Sequence, residues 1–147
     1  MANSEQHAAD WLNFLLAQDL PFAEALSTQV GVGKVGQLCA CGCHGFAFDV
    51  PANVDFLPLQ SGPGIFYEMV LSSNFSEEID LLLFTDERGC LSWVDVTYGA
   101  CNIEPMPEGI VPELVTGIWP GTRKDLPTVE VEVKHSTKSW WKFGYRR

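Results

Sequence analysis

Cys39, Cys41, Cys43 and His44 put four donors of the kind that bind zinc within six residues, and zinc takes four thiolate or imidazole ligands in a tetrahedron. The spacing pulls the other way. Structural zinc sites usually pair C-x2-4-C units from two separate segments, whereas alternate side chains of an extended strand point the same way yet hold their sulfurs too far apart to share one ion. A knuckle centred on Gly42 would relax that limit, with Cys90 or Cys101 as a remote ligand. Two other readings stay open: a redox or nucleophilic cysteine, and ordinary reduced thiols in a tight hairpin, which is the default for such a cluster.

Other chemistry lacks parts. A cysteine nucleophile needs an imidazole and an orienting carboxylate or amide beside it, but His7 falls at a helix start, His44 faces away from Cys43 on a strand, and His135 follows an edge strand. Glu68, Asp80 and Asp95 lie in three predicted strands; two of them converging in a pocket would make an acid/base pair, but carboxylates on the solvent face of an antiparallel sheet are the commoner case. Gly31, Gly33 and Gly36 match G-x-G-x-x-G, yet a Cys-rich strand follows instead of the helix that would cradle a pyrophosphate, so they read as a connector. The chain has no G-x-S-x-G elbow, H-E-x-x-H helix or P-loop.

The elements that must position these residues follow from periodicity. Ala8, Trp11, Leu12, Leu15 and Leu16 recur at helical spacing behind a cap candidate, Asn3 or Ser4, and predict a helix over 5–18 ended by Asp19-Leu20-Pro21. A short second helix is expected over Phe22 to Gln29, before the glycines. From Val35 onward, a turn at Gly42 to Gly45 and the alternation of Phe46, Phe48 and Val50 predict a hairpin that carries the cysteines. Ile65 to Leu71 is a further strand, and Ile79 to Thr85 and Cys90 to Tyr98 flank Asp86-Glu87-Arg88-Gly89, which suits a four-residue hairpin loop. Apolar residues at both parities of Ile79 to Phe84 imply a central strand covered on both faces. Five prolines between Pro105 and Pro127 imply a long loop, functional or hiding a short helix around Val111 to Val115. Val129, Val131 and Val133 alternate with charged residues as an edge strand would. The tail from Ser139 to Arg147 interleaves aromatics with cations, as a last strand would, or a partner groove, a membrane interface or a single-stranded nucleic-acid contact.

These elements imply an α+β fold over one domain, 1–147: an antiparallel sheet of about five or six strands with one or two N-terminal helices packed on one face. With 147 residues, 46% of them hydrophobic, the chain can build one sizeable core. No apolar run approaches the length that spans a bilayer, the N-terminus does not read as a signal peptide, and no membrane partner is expected. Five cysteines, three of them too close together to cross-link distant segments, point to a reducing, cytoplasmic location.

Segments 35–100 carry a resemblance. Cys41-Gly42-Cys43 ahead of Phe46 to Val50, and later Arg88-Gly89-Cys90-Leu91-Ser92-Trp93-Val94-Asp95, resemble small bacterial proteins with a C-G-C turn before an alternating strand and a later G-x-L-S-x-L-E segment. Asp95 stands where those proteins tend to have Glu, and His44 where they often have Pro. The resemblance implies shared structural motifs and brings no activity with it.

The net charge of −10 is uneven. Residues 1–122 hold sixteen acidic side chains against two basic ones, a balance of −14, whereas 123–147 hold three against seven, a balance of +4. An acidic body repels phosphate backbones and attracts basic proteins, so no nucleic acid is expected on the main body. The first functional expectation is an acidic protein-binding module of immunity or inhibitor type that neutralises a basic partner. Its contact residues would be Glu77, Glu78, Asp86, Glu87, Glu104, Glu108 and Glu113, all in predicted turns or loops. The alternatives are a small zinc-binding protein on Cys39, Cys41, Cys43 and His44, zinc being the one cofactor in question, and an enzyme using strand carboxylates.

Overall fold

The computed structural model describes residues 3–53, 55–99 and 105–120. Helix α1 (Glu5–Leu16) starts at Ser4, whose hydroxyl accepts the His7 N–H at 3.1 Å and so satisfies one of the unpaired first-turn donors. Ala8, Trp11, Leu12 and Leu15 form its buried stripe. Helix α2 (Ala23–Val32) begins one residue later than expected and runs three residues further, through Gly31, before Gly33 ends it. Gly33 is needed there because a Cβ would stand 2.4 Å from the Phe48 ring and 2.6 Å from the Asp49 carbonyl oxygen.

Six strands follow: β1 (Lys34–Leu38), β2 (Phe46–Asp49), β3 (Gly64–Ser73), β4 (Ile79–Thr85), β5 (Leu91–Tyr98) and β6 (Pro112–Trp119). They form one antiparallel sheet in the order β1-β2-β5-β4-β3-β6, with both helices N-terminal to it, an α+β fold. The helices cover one face. Phe22, at the start of α2, packs edge-on against Phe66 and Tyr67 of β3 with ring centroids 4.6 and 4.8 Å away, and the Gln29 side chain accepts the Leu91 N–H at 2.8 Å. Strand β4 is central, as expected, but its faces differ: Ile79, Leu81, Leu83 and Thr85 are buried, and Asp80, Leu82 and Phe84 are only half-buried among the described residues.

The β4–β5 turn falls where expected but is one residue longer, since β5 starts at Leu91 and not at Cys90, and it has the residues that close it. Asp86 Oδ1 accepts the Arg88 and Cys90 N–H groups at 2.9 and 3.0 Å, and Gly89, at φ +79°, donates to the Asp86 carbonyl. The segment around Val111 to Val115 corrects the sequence reading. It is neither loop nor helix but the start of β6, which pairs with β3 on the sheet edge and exposes Leu114, Val115, Ile118 and Trp119. The predicted strand at Val129 to Val133 and the aromatic tail from Ser139 lie outside the described residues. Among the described residues no helix is long and apolar enough to cross a membrane.

Candidate metal centre

The cysteines sit in the β1–β2 loop, which its own backbone and its neighbours hold closed. The Cys39 N–H donates to the Gly45 carbonyl at 2.9 Å, and Asn3 Nδ2 donates to the same oxygen at 2.7 Å. The His44 N–H reaches the Val96 carbonyl at 3.0 Å, and the Met106 N–H reaches that of Gly42 at 2.9 Å. Two glycines make the loop tight. Gly42 adopts φ +108°, a conformation that favours glycine, and a Cβ there would press on Pro105 at 3.2 Å. At Gly45 a Cβ would lie 3.2 Å from Cys43 Sγ and 3.3 Å from Asp95 Oδ1, so any side chain would crowd the sulfur.

This loop gathers the sulfurs. Cys39 and Cys41 Sγ are 3.0 Å apart, Cys41 and Cys43 Sγ 3.2 Å, and all three lie within 4.8 Å of one another. The two closest separations are shorter than the roughly 3.8 Å between thiolates around a tetrahedral zinc at about 2.3 Å, so the three sulfurs are near enough to hold a metal ion if they spread by less than about 1 Å. Gly42, at positive φ, breaks the extended path, so the sulfurs are not held apart as they would be along a strand. Cys43 is buried and accepts the Gly45 N–H at 3.2 Å. Burial pushes its thiol up to about 12, with the Gly45 N–H opposing and the neighbouring Cys41 and Cys39 adding to the rise. A cation arriving there displaces a proton from Cys43.

His44 does not join them. Its Nδ1 accepts the Trp11 Nε1–H at 3.1 Å, and its ring stacks on His7 with centroids 3.9 Å apart. Burial, with the charges of His7 and the N-terminus, lowers its pKa to about 4, so the ring is neutral at pH 7. Cys90 is no fourth ligand either: it closes the Asp86 turn just before the far end of β5, where burial and then the Asp86 charge raise its pKa. Cys101 lies outside the described residues.

Of the predicted acidic contacts, Glu104 also lies outside the described residues, and the others divide into two groups. Glu77 and Glu78 lie exposed in the β3–β4 turn; Glu108 and Glu113 stand nearby, since Asn74 Nδ2 donates to the Gly109 carbonyl and Pro112 pairs with Ser73. Glu113 is on a strand, not in a loop. Asp86 and Glu87 occupy the opposite end of β4, about 20 Å away along a strand of this length. Asp86 is already paired with Arg88 at 2.9 Å, which leaves Glu87 as the free charge of that turn. The first group shares its end of the sheet with the cysteine loop, because Ile79 pairs with Tyr98 and His44 meets Val96.

Glu68 and Asp95 both flank Leu82, which puts their strands two spacings apart, about 10 Å. Asp95 Oδ1 accepts the Trp93 indole N–H at 2.6 Å. That separation does not make a direct acid/base pair. The sequence did not reveal a groove of about 270 Å³ between α1 and the 109–112 segment, walled by His7, Asp10, Trp11, Phe14, Ile110 and Pro112. Its two sides are too distant in the chain for any local pattern to join them. No family model, curated protein or solved structure matches this chain.

Proposed function

We propose that this chain is a small metal-binding protein that holds a thiophilic cation, zinc first among them, on Cys39, Cys41 and Cys43. The observation that carries the reading is the convergence of three sulfurs on a loop pinned by three backbone hydrogen bonds and one from the Asn3 side chain, with an N–H donated to the buried sulfur. Hydrogen bonds to ligand sulfurs orient and tune a thiolate site. The acidic end formed by Glu77, Glu78, Glu108 and Glu113 adds a field that raises the local concentration of cations. The fourth zinc position is left to water, to Cys101 or to a partner's side chain. Protein purified under reducing conditions should carry about one equivalent of zinc, lost in Cys41→Ser. Metal-free protein that takes up no zinc in a titration overturns the reading.

A second reading rests on a different observation, the exposed apolar edge at β6 beside the same acidic group. Here the chain is an acidic protein-binding module of immunity or inhibitor type. Its carboxylates steer a basic protein, and Leu114, Val115, Ile118 and Trp119 supply the buried contact. Capture of a basic partner whose binding weakens on Leu114→Asp supports it. Unchanged binding by that variant removes β6 from the interface.

A further inference from the structure

We propose that Cys39 and Cys41 are a peroxide-responsive thiol pair that closes to a disulfide when a hydroperoxide reaches Cys41. The three sulfurs differ in access: Cys41 is exposed, Cys39 half-buried and Cys43 2% exposed. An oxidant in solution therefore meets Cys41 first. Its sulfur already lies 3.0 Å from that of Cys39, about 1 Å more than a disulfide bond length. The Cys39 N–H to Gly45 bond and the Met106 N–H to Gly42 bond keep the loop from opening, so the second thiol stays at hand instead of diffusing away. Cys43, at 3.2 Å, is the poorer partner because it is buried and its sulfur is engaged by the Gly45 N–H.

The chemistry balances with a hydroperoxide as the named oxidant. Cys41, as thiolate, attacks the outer peroxide oxygen; the S–O bond forms, the O–O bond breaks, and the alkoxide (hydroxide where the oxidant is hydrogen peroxide) leaves and takes the proton that Cys41 released, as an alcohol or water. Cys39 sulfur then attacks Cys41 sulfur, the S–S bond forms, the S–O bond breaks, and hydroxide leaves with the Cys39 proton as water. Two thiols lose two electrons and the peroxide gains them. Closing this bond removes two of three sulfur ligands, so oxidation releases a bound cation. That last consequence rests on the metal reading, and the disulfide itself does not.

The test uses the full chain, reduced and freed of metal, treated with equimolar hydrogen peroxide, alkylated and mapped by mass spectrometry. The expected result is a Cys39–Cys41 link with Cys43 and Cys90 alkylated as free thiols. Cys43→Ser should keep at least about half of the wild-type yield, whereas Cys39→Ser should give no link and leave a sulfenic acid on Cys41 that dimedone traps. A link from Cys41 to Cys43, or sulfinic acid accumulating at Cys41 in the wild type without any disulfide, overturns the proposal. In a second arm, zinc-loaded protein should release zinc to a chromophoric chelator as fast as the link forms. A chain that links but never held zinc removes the metal reading and leaves this one standing; a chain that holds zinc and never links does the reverse.

Discussion

The indole N–H of Trp11 donates to Nδ1 of His44 across 3.1 Å and ties helix α1 to the cysteine loop. With Nδ1 accepting, the neutral ring must carry its proton on Nε2, which is buried. Neither nitrogen then offers a lone pair to an ion. His44 is part of the frame that holds the three sulfurs, and its place beside Cys43 in the sequence does not make it a ligand.

Trp11→Phe keeps an aromatic ring against the loop but leaves His44 Nδ1 buried without its donor. Stability should fall by about 1–3 kcal/mol, the cost of stranding a buried polar atom. Urea unfolding at pH 7 measures it, and a change within about 0.5 kcal/mol would show that the bond contributes little beyond packing.

The same ring sets a pH dependence. His44 is lowered from 6.5 to about 4, mainly by burial, with His7 and the N-terminal charge adding to it. A base whose folded pKa is depressed binds fewer protons when folded, so its contribution is complete above pH 6.5 and is lost progressively as pH falls towards 4. The loss by pH 4 should be on the order of 3 kcal/mol at most. Asp86, whose pKa is also lowered, acts only below the ordinary carboxylate range. There burial opposes the shift, and the Cys90 N–H and the Arg88 contacts outweigh it. Denaturation midpoints at pH 7 and pH 5 therefore isolate histidine, and His44→Gln should flatten the difference. An unchanged slope in that variant assigns the effect elsewhere.

Gly89→Ala should cost at least about 2 kcal/mol, because the backbone at φ +79° is strained for any side chain and the added Cβ would meet the Gln60 carbonyl oxygen at 2.0 Å. Thermal unfolding checks it. A loss no greater than an ordinary surface change would mean the 58–60 segment moves aside at little cost.

That turn was legible in the sequence because everything it needs is local: an Asp to accept two N–H groups, a Gly for the left-handed position, and apolar strands on either side. Helix α1 was legible for the same reason, its stripe and its cap lying within one short segment. Strand β6 was not. It is an edge strand whose Glu113, Leu114, Val115 and Thr116 are all exposed, so it shows no alternation, and the prolines at its two ends, Pro112 and Pro120, look like loop. The cysteine cluster was legible in composition only. Whether three sulfurs at alternate positions meet depends on Gly42 leaving the extended path and on long-range bonds to Val96, Asn3 and Met106. Nothing in the spacing reports those contacts.

Gly42→Ala tests the knuckle directly. At φ +108°, with Pro105 3.2 Å from the new methyl, the loop must shift, and three sulfurs that depend on it must spread. Zinc affinity, measured by competition with a chromophoric chelator, should fall at least about tenfold, or about 1.4 kcal/mol. Unchanged affinity would mean that the cysteines reach the ion without the turn.

The two acidic groups separate the partner-binding reading from a general effect of charge. Reversing Glu77 and Glu78 to Lys alters the end of the sheet that also carries Glu108, Glu113 and the start of β6, whereas Glu87→Lys alters a turn about 20 Å away whose neighbouring Asp86 is already neutralised by Arg88. Folding should be nearly unchanged in both, since exposed charges contribute little to stability. If a basic protein docks beside β6, its association rate should drop markedly in the Glu77/Glu78 variant and only slightly in Glu87→Lys, because steering acts through the field near the contact. Rising salt should slow the wild type most, the Glu87 variant nearly as much, and the double variant least, with dissociation rates little altered throughout. Stopped-flow association across a salt series makes the comparison. Equal effects from the two ends would mean that net charge alone matters. Indifference to both salt and reversal would remove the acidic surface from the interface and turn attention to the aromatic and basic tail from Ser139 to Arg147.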